Sequence, residues 1–481
     1  MTDWLKTVDE FLWGPGTLAL LLGTGIFLTI RTRFFPWRNL GYALRTVLSR
    51  DARQAGQGGV SPFSALMTAL AATIGTGNIV GVATALVAGG PGALVWMEIS
   101  ALFGMATICS ECMLAVKFRR RNRRGEWSGG PMYVMRDGLG LGRLGAVMGG
   151  LFAFFAVCAS FGIGGMTQSN SISGALNSAC SLSPKAIGMA VAALSLVTIL
   201  GGIRSISKVS AVLVPAMAVF YLLSGLVVIL GNREQLPAEI LTIFRCALSP
   251  RAAAGGAAGA ITASMLDAAR WGIARGVFSN EAGMGSAAIS AASAAGGNPV
   301  RQGCLSMTGP FFDTIVICTV TGLAICTSGV LGALDASGSP VDGAALTILA
   351  FRTVLGPLGG DFISAAIVLF AFSSILGWEY QGEKAFEYLF GTRRLPVYRV
   401  LFALAVFWGA VEQLEVVFRL SDICNALMCI PNLLCLLILS GTVAHDIRAF
   451  QREADRSRRR VSPAVLTVFS PAKVRKAGRK S

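Results

Sequence analysis

Apolar runs of about 20 residues, parted by short polar breaks that carry most of the charge, recur along nearly the whole chain. A hydrocarbon core roughly 30 Å thick takes about that length of helix to cross, so each run predicts a membrane span. Eleven are expected, at about 12–31, 62–86, 90–116, 143–167, 185–202, 209–231, 251–272, 303–328, 360–384, 398–415 and 421–444. Residues 342–355 predict a short helix lying along the outer surface. The stretch 270–299, rich in small and polar residues, predicts a cytoplasmic loop with short helices.

The polar breaks orient the spans. Arg31, Arg33, Arg38, Arg45, Arg50 and Arg53 follow the first run, and Lys117 to Arg124 follow the third. Arg204 and Lys208 follow the fifth, Arg393, Arg394 and Arg399 the ninth, and Arg448 to Lys480 the last. All fall on one side, which the positive-inside rule makes cytoplasmic, with the N-terminus outside and the C-terminus inside. A net charge of +16 would raise nucleic-acid binding in a soluble protein. Here the charge is topological, and Arg456 to Arg460 face anionic lipid without interleaved aromatics to stack bases.

Composition agrees: 54% of the residues are hydrophobic and 14% charged, a balance that excludes a soluble domain. The 58 glycines lie inside the apolar runs, where they permit close helix packing and local interruption. The 11 cysteines fall almost entirely within spans, so no bridged ectodomain is expected. Cys109 and Cys112 lack the second pair that a metal or redox site needs. The acidic start MTDWLKTVDE predicts no signal peptide. No span carries a histidine and no Walker A motif occurs, which argues against an enzyme or an ATP-driven pump.

With the first span set aside, ten remain, dividing into 62–231 and 240–444 with five spans each. Consecutive halves with odd span counts enter the membrane in opposite directions, the requirement for an inverted repeat. Residues 1–61 are then an extra span and a cytoplasmic loop, and 445–481 a basic cytoplasmic tail. The halves share no evident sequence identity, so the inference is topological.

The most informative run lies within the second span. Gly75 and Gly77 flank Thr76, with Asn78 directly after, and each glycine weakens the helix by about 1 kcal/mol relative to alanine. A helix broken there exposes peptide N–H groups suited to a substrate carboxylate and carbonyls suited to a dehydrated Na⁺. Small-residue packing competes, but packing has no need of the Asn78 amide. Gly255, Gly256 and Gly259 predict a second broken helix in the partner position, with Gly255 and Gly256 as substrate contacts. Ser373 and Ser374 offer adjacent hydroxyls, either for an ion or for their own helix carbonyls. Trp378, one turn beyond Ser374, is placed to roof a small pocket or to join an interfacial belt. Glu98, Glu111, Asp267 and Asp313 lie within spans and are each expected to face protein or water.

Several longer motifs occur in order: ATIGTGNIVGVATA at 72–85, GGPGA at 89–93, GGPMYV at 129–134, ARGVFSNEAGMGS at 274–286, FDTIVICT at 312–319 and FAFSSILGW at 370–378. With them the chain, from residue 12 to 445, resembles the alanine/glycine:cation symporter family. The resemblance implies an all-α membrane protein with a leucine-transporter-like inverted repeat and broken helices. It implies a multi-pass protein of the bacterial inner membrane that imports alanine or glycine with Na⁺ as the coupling ion and has no bound cofactor. It also implies that the carbonyls of Ala71, Ile74 and Phe370 join Ser373 and Ser374 around Na⁺, and that Gln168 contacts substrate beside Gly75, Thr76, Gly77 and Asn78. Ser279, Asn280 and Glu281 fit an inner gate in the predicted loop. Glu98, Cys109, Ala287 and Ala288 depart from the family pattern, which leaves the preferred amino acid open. A proton-coupled amino-acid carrier shares the broken first helix and stays in competition.

Overall fold

The computed structural model describes residues 2–54, 59–249, 252–256, 259–412 and 415–466, and these are mostly helical. Among the described residues, eight helices are long and apolar enough to cross a membrane, including Ala93–Lys117, Arg143–Cys180, Pro299–Thr327 and Leu358–Phe390. Four shorter apolar helices accompany them: Pro62–Thr73, Val80–Gly89, Pro184–Leu200 and Gly343–Leu355. The last coincides with the short helix predicted at 342–355, started by Asp342, whose side chain accepts from the Gly343 amide.

The helix over 62–89 is interrupted where its glycines lie. Pro62 sits in its first turn behind a Ser61 cap that accepts from the Ser64 amide at 3.1 Å. Regular bonding stops with Ile74 N to Leu70 O at 2.8 Å. Gly75 is extended, Thr76–Asn78 make one 3₁₀ turn, and the α-helix resumes at Val80. Gly377 of the Leu358–Phe390 helix lies so close that a Cβ there would stand 2.4 Å from the Ala72 amide nitrogen. Such close backbone approach is how small residues hold helices together where lipid offers no hydrophobic drive.

Two expectations are corrected. The run 251–272 does not form one helix: Ala252–Gly256 and Gly259–Ala263 pair as an antiparallel ribbon, with Gly255 opposite Ala260 and Gly256 opposite Gly259. Three glycines within five residues raise the cost of helix there, and apolar composition alone says nothing of period. The stretch 270–299 is not a loop. Its first part belongs to a second interrupted helix, Met265–Asn280 and Ser286–Ala291, broken at Glu281, Gly283 and Gly285, all with left-handed φ. It reads as polar because its partners are protein rather than lipid: Ser279, Asn280, Glu281, Ser286 and Ser290 are all buried.

The two interrupted helices lie side by side in opposite senses. Val80–Gly89 packs on Met265–Asn280, while Pro62–Thr73 packs on Ser286–Ala291, so the two breaks face each other. A further correction concerns the fourth span, which continues past residue 167. It passes through a π-helical segment, Ser160–Thr167, and runs on to Cys180, packed against Leu358–Phe390 and Leu395–Val411. The polar continuation QSNSISG carries no hydropathy signal because it too is bedded in protein.

The basic connections gather at one end. Lys117 pairs with Asp446 at 2.6 Å, and Arg124 donates to the Thr392 carbonyl at 3.2 Å. A small hairpin, Arg120–Arg121 with Trp127–Ser128, folds over the end of the second interrupted helix. There Arg119 stacks 4.1 Å from the Trp127 ring and donates to the carbonyls of Ala292, Ala294 and Gly296. Lys384 ties the hairpin to the Leu358–Phe390 helix, 3.2 Å from Glu126 and 2.9 Å from Glu387. Burial alone would raise Glu126, but Lys384 and Asn122 outweigh it and hold the carboxyl below its usual range. Residues 467–481, part of the expected basic tail, lie outside the described residues.

Candidate functional site

Asn78 stands where the two breaks meet and is fully buried. Its Oδ1 accepts from the Gly75 amide at 3.0 Å, a side-chain cap that replaces a backbone bond lost at the break. Its Nδ2 lies 2.5 Å from Asp313 Oδ1, 3.0 Å from Ser279 Oγ and 3.1 Å from the Asp313 carbonyl. The Asn78 carbonyl accepts from Thr321 Oγ1 at 2.9 Å. One amide thus ties the first interrupted helix to the second and to the Pro299–Thr327 helix.

Asp313 occupies a π-helical segment, Phe311–Cys318, and is fully buried. Ser279 Oγ donates to its Oδ2 at 2.8 Å and Thr314 Oγ1 at 3.1 Å, so with Asn78 its carboxylate collects three donors. Asn280 extends the cluster, donating to Thr314 Oγ1 at 3.1 Å while its Oδ1 accepts from the Ala282 amide at 3.0 Å. Ser279 and Asn280, read from sequence as gate residues, therefore sit in the buried center. Glu281 is also buried and accepts from Ser286 Oγ across the second break.

A second cluster of oxygens lies on the other flank of Gly75. Ser373 Oγ is 2.8 Å from the Phe370 carbonyl and 3.4 Å from those of Ala71 and Ile74. Ser374 Oγ is buried without a hydrogen-bond partner, and a Cβ on Gly75 would come within 2.5 Å of it. Five oxygens, three carbonyl and two hydroxyl, thus converge beside the end of Pro62–Thr73. Oxygen-only sets of this kind suit a hard monovalent cation, and the orphaned hydroxyl is the atom such an ion would satisfy.

Gln168 reaches the break from the Arg143–Cys180 helix, accepting from Thr76 Oγ1 at 3.3 Å and donating to the Ile163 carbonyl at 3.2 Å. Trp378 is buried rather than in an interfacial belt. It lies against Gly164, where a Cβ would stand 2.3 Å from its own Cβ, in the apolar cluster that includes Ala72 and Ile163. Gly255 and Gly256 fall in the ribbon after residue 251, which packs on Leu236–Leu248 and Val80–Gly89 and leaves the second break to Glu281–Gly285. Phe278, not singled out from sequence, covers Gly77: a Cβ there would lie 3.5 Å from the Phe278 ring. Beyond Phe278 opens a cavity of 240 Å³ lined by Asp9, Trp13, Trp271, Arg275 and Asp422. Phe278 thus lines the cavity on one side and packs on Gly77 of the break on the other.

Of the other acids within spans, Glu98 accepts from Thr319 Oγ1 at 2.8 Å and Glu111 from Asn432 Nδ2 at 2.6 Å. Asp267 instead caps the Met265–Asn280 helix with Ser264 at an exposed site.

The sodium:alanine symporter family model matches residues 1–463. A sodium/alanine symporter of Methanococcus maripaludis is 48% identical over 449 residues, covering 93% of this chain and 96% of that one. An amino-acid carrier protein of Bacillus subtilis is 35% identical over 441 residues, covering 91% and 90%. Among solved structures, the crystal structure of MhsT in complex with L-phenylalanine superposes with a TM-score of 0.56 at 13% identity. It covers 80% of this chain and 90% of that one, a likeness of fold alone.

Proposed function

The chain belongs to the sodium:alanine symporter family, a multi-pass membrane protein of a transporter family, and on that premise we propose that it imports alanine or glycine together with Na⁺ by alternating access. The observation that carries the Na⁺ half is Ser374 Oγ, a buried hydroxyl with no partner beside three carbonyls and a second hydroxyl. A hard cation gains from five oxygens in a dry site, and its charge replaces water's hydrogen bonds to them. Ala71, Ile74, Phe370, Ser373 and Ser374 hold it.

The amino acid lies across the first break. Its carboxylate sits on the peptide N–H groups at Thr76 and Gly77, where the turn's partial positive charge favors an anion. Gln168 and Thr76 bond the polar end, and the small space under Phe278 and Trp378 admits a methyl group or a hydrogen. Gly255 and Gly256, in the ribbon, take no part in the contact; the second break supplies that wall. Because the ion's carbonyls belong to the same chain segment that binds the carboxylate, filling one site orders the other. Reciprocal coupling of this kind is what symport requires.

In this reading the halves 62–231 and 240–444 are the two repeats, each with its interrupted helix as its first membrane span, and their antiparallel pairing supports it. The basic connections make their end cytoplasmic and the N-terminus external, in the inner membrane. Proton coupling is the second reading. Asp313 favors it, a buried carboxylate beside Asn78 that meets donors and is able to take a second cation, Na⁺ or H⁺.

Proteoliposomes separate the readings. Labelled alanine and glycine are expected to accumulate under an inward Na⁺ gradient at constant pH and not under a proton gradient alone; uptake that follows pH and ignores Na⁺ would overturn the first reading. Within the site, Thr76→Val removes one neutral hydrogen bond of about 1 kcal/mol and is expected to raise the KM for alanine roughly fivefold with kcat little changed.

A further inference from the structure

Glu379, on the Leu358–Phe390 helix beyond the two serines, is fully buried, and both of its carboxylate oxygens lack a hydrogen-bond donor. One turn further, Glu383 is also buried and forms a bidentate pair with Arg399 of the Leu395–Val411 helix, at 2.6 and 3.1 Å. Four residues apart on one helix, the two carboxyl groups share a face and are neighbors.

Among the described residues no ion pair is made by Glu379 itself. Lys384 turns the other way, to Glu126, Glu387 and Ser128. The Tyr398 hydroxyl meets Ser160 Oγ at 3.0 Å and the Glu379 main-chain carbonyl at 3.3 Å rather than its side chain. Ser160 in turn donates to the Val157 carbonyl at 2.7 Å. Gly382 keeps this packing closed, since a Cβ there would stand 2.1 Å from the Tyr398 hydroxyl. Among the described residues, Arg399 is thus the guanidinium that serves this pair of carboxyls, with Lys384 and Glu126 as the outer charges.

Two carboxylates one helical turn apart and both away from water cannot readily both stay ionised, and a guanidinium held by one compensates only that one. We propose that Glu379 is a proton-binding site: its carboxyl carries a proton and donates it to Glu383, giving a neutral chain Arg399⁺, Glu383⁻, Glu379–H that joins the serine-bearing helix to its neighbor. The proton comes from water when the site forms and returns to water when it opens. No bond other than O–H is made or broken. The site is separate from the oxygens around Gly75 and does not depend on Na⁺ being the coupling ion.

The folded protein then binds one proton that the unfolded chain, with an ordinary carboxyl, has released at neutral pH. Its stability must fall as pH rises through the range where Glu379 ionises. An amide has the shape and a donor of the neutral acid, so purified full-length Glu379→Gln is expected to fold, to melt within about 2 °C of wild type at pH 6, and to lose the alkaline fall, which in wild type amounts to about 1.4 °C per pH unit. In infrared spectra the deuterium-sensitive protonated-carboxyl band of wild type should diminish in Glu379→Gln. Glu383→Gln, which strands Arg399, should melt well below both. A Glu379→Gln protein that fails to fold, keeps the whole band, or keeps the wild-type pH dependence of melting overturns the proposal.

Discussion

Asn78→Ala is expected to lower alanine uptake by about two to three orders of magnitude while the protein remains in the membrane, since two or more hydrogen bonds near a carboxylate are lost at about 1.5–3 kcal/mol each. The amide does three things at once in a fully buried setting. It caps the Gly75 N–H, it ties the break to Ser279 of the second interrupted helix, and it supplies a donor to Asp313. Removing it frees the 76–78 turn that receives the substrate and leaves Asp313 short of one of three donors. Asn78→Asp is the sharper control. It keeps the acceptor for Gly75 but sets a carboxylate 2.5 Å from Asp313, where the amide nitrogen now stands, so uptake should again be lost. Binding of labelled alanine to purified protein checks both, and near-normal binding by Asn78→Ala would show that the turn holds itself.

Gly75→Ala is expected to abolish Na⁺-stimulated uptake, a loss of about 100-fold or more, for a steric reason. Its backbone is extended and strain-free for any residue, but the added Cβ would stand 2.5 Å from Ser374 Oγ and 3.6 Å from Gln168 Oε1. The methyl fills the space into which the orphaned hydroxyl points; overpacking of that kind costs about 1–3 kcal/mol before any loss of ion ligands. Gly77→Ala is the contrast, because its Cβ would make an ordinary 3.5 Å contact with Phe278. Its uptake should fall by less than about tenfold. Equal effects from the two alanines, measured as initial rates in proteoliposomes, would separate the glycines' importance from the ion site.

The first break was legible because its chemistry is local. Two glycines around a threonine weaken the helix wherever it packs, and Asn78 announced a polar task that packing does not need. The second break was hidden by the rule that made the spans visible. Hydropathy finds helices that face lipid, while Met265–Ala291 faces Ala93–Lys117 and the first interrupted helix and is lined with serine, asparagine and glycine. The same rule shortened the fourth span at Thr167 and promoted the alanine- and glycine-rich run after 251, whose Gly255 and Gly256 signal weak helix without saying which structure replaces it. Ser373 and Ser374 were readable as adjacent hydroxyls, but that one meets three carbonyls and the other none is a fact of how two helices 300 residues apart come together. Asp313 and Phe278 needed the fold for the same reason. An acid in an apolar run announces a partner without naming it, and an aromatic in a membrane protein announces nothing.

The account rests on a cation held between the first break and the two serines. Equilibrium binding of labelled alanine to purified protein across a Na⁺ series, wild type against the double variant Ser373→Ala, Ser374→Ala, tests it most directly. The half-saturating Na⁺ concentration should rise by at least about tenfold in the double variant, the equivalent of 1.4 kcal/mol, while alanine still binds at saturating Na⁺. The same Na⁺ dependence in both proteins would contradict it.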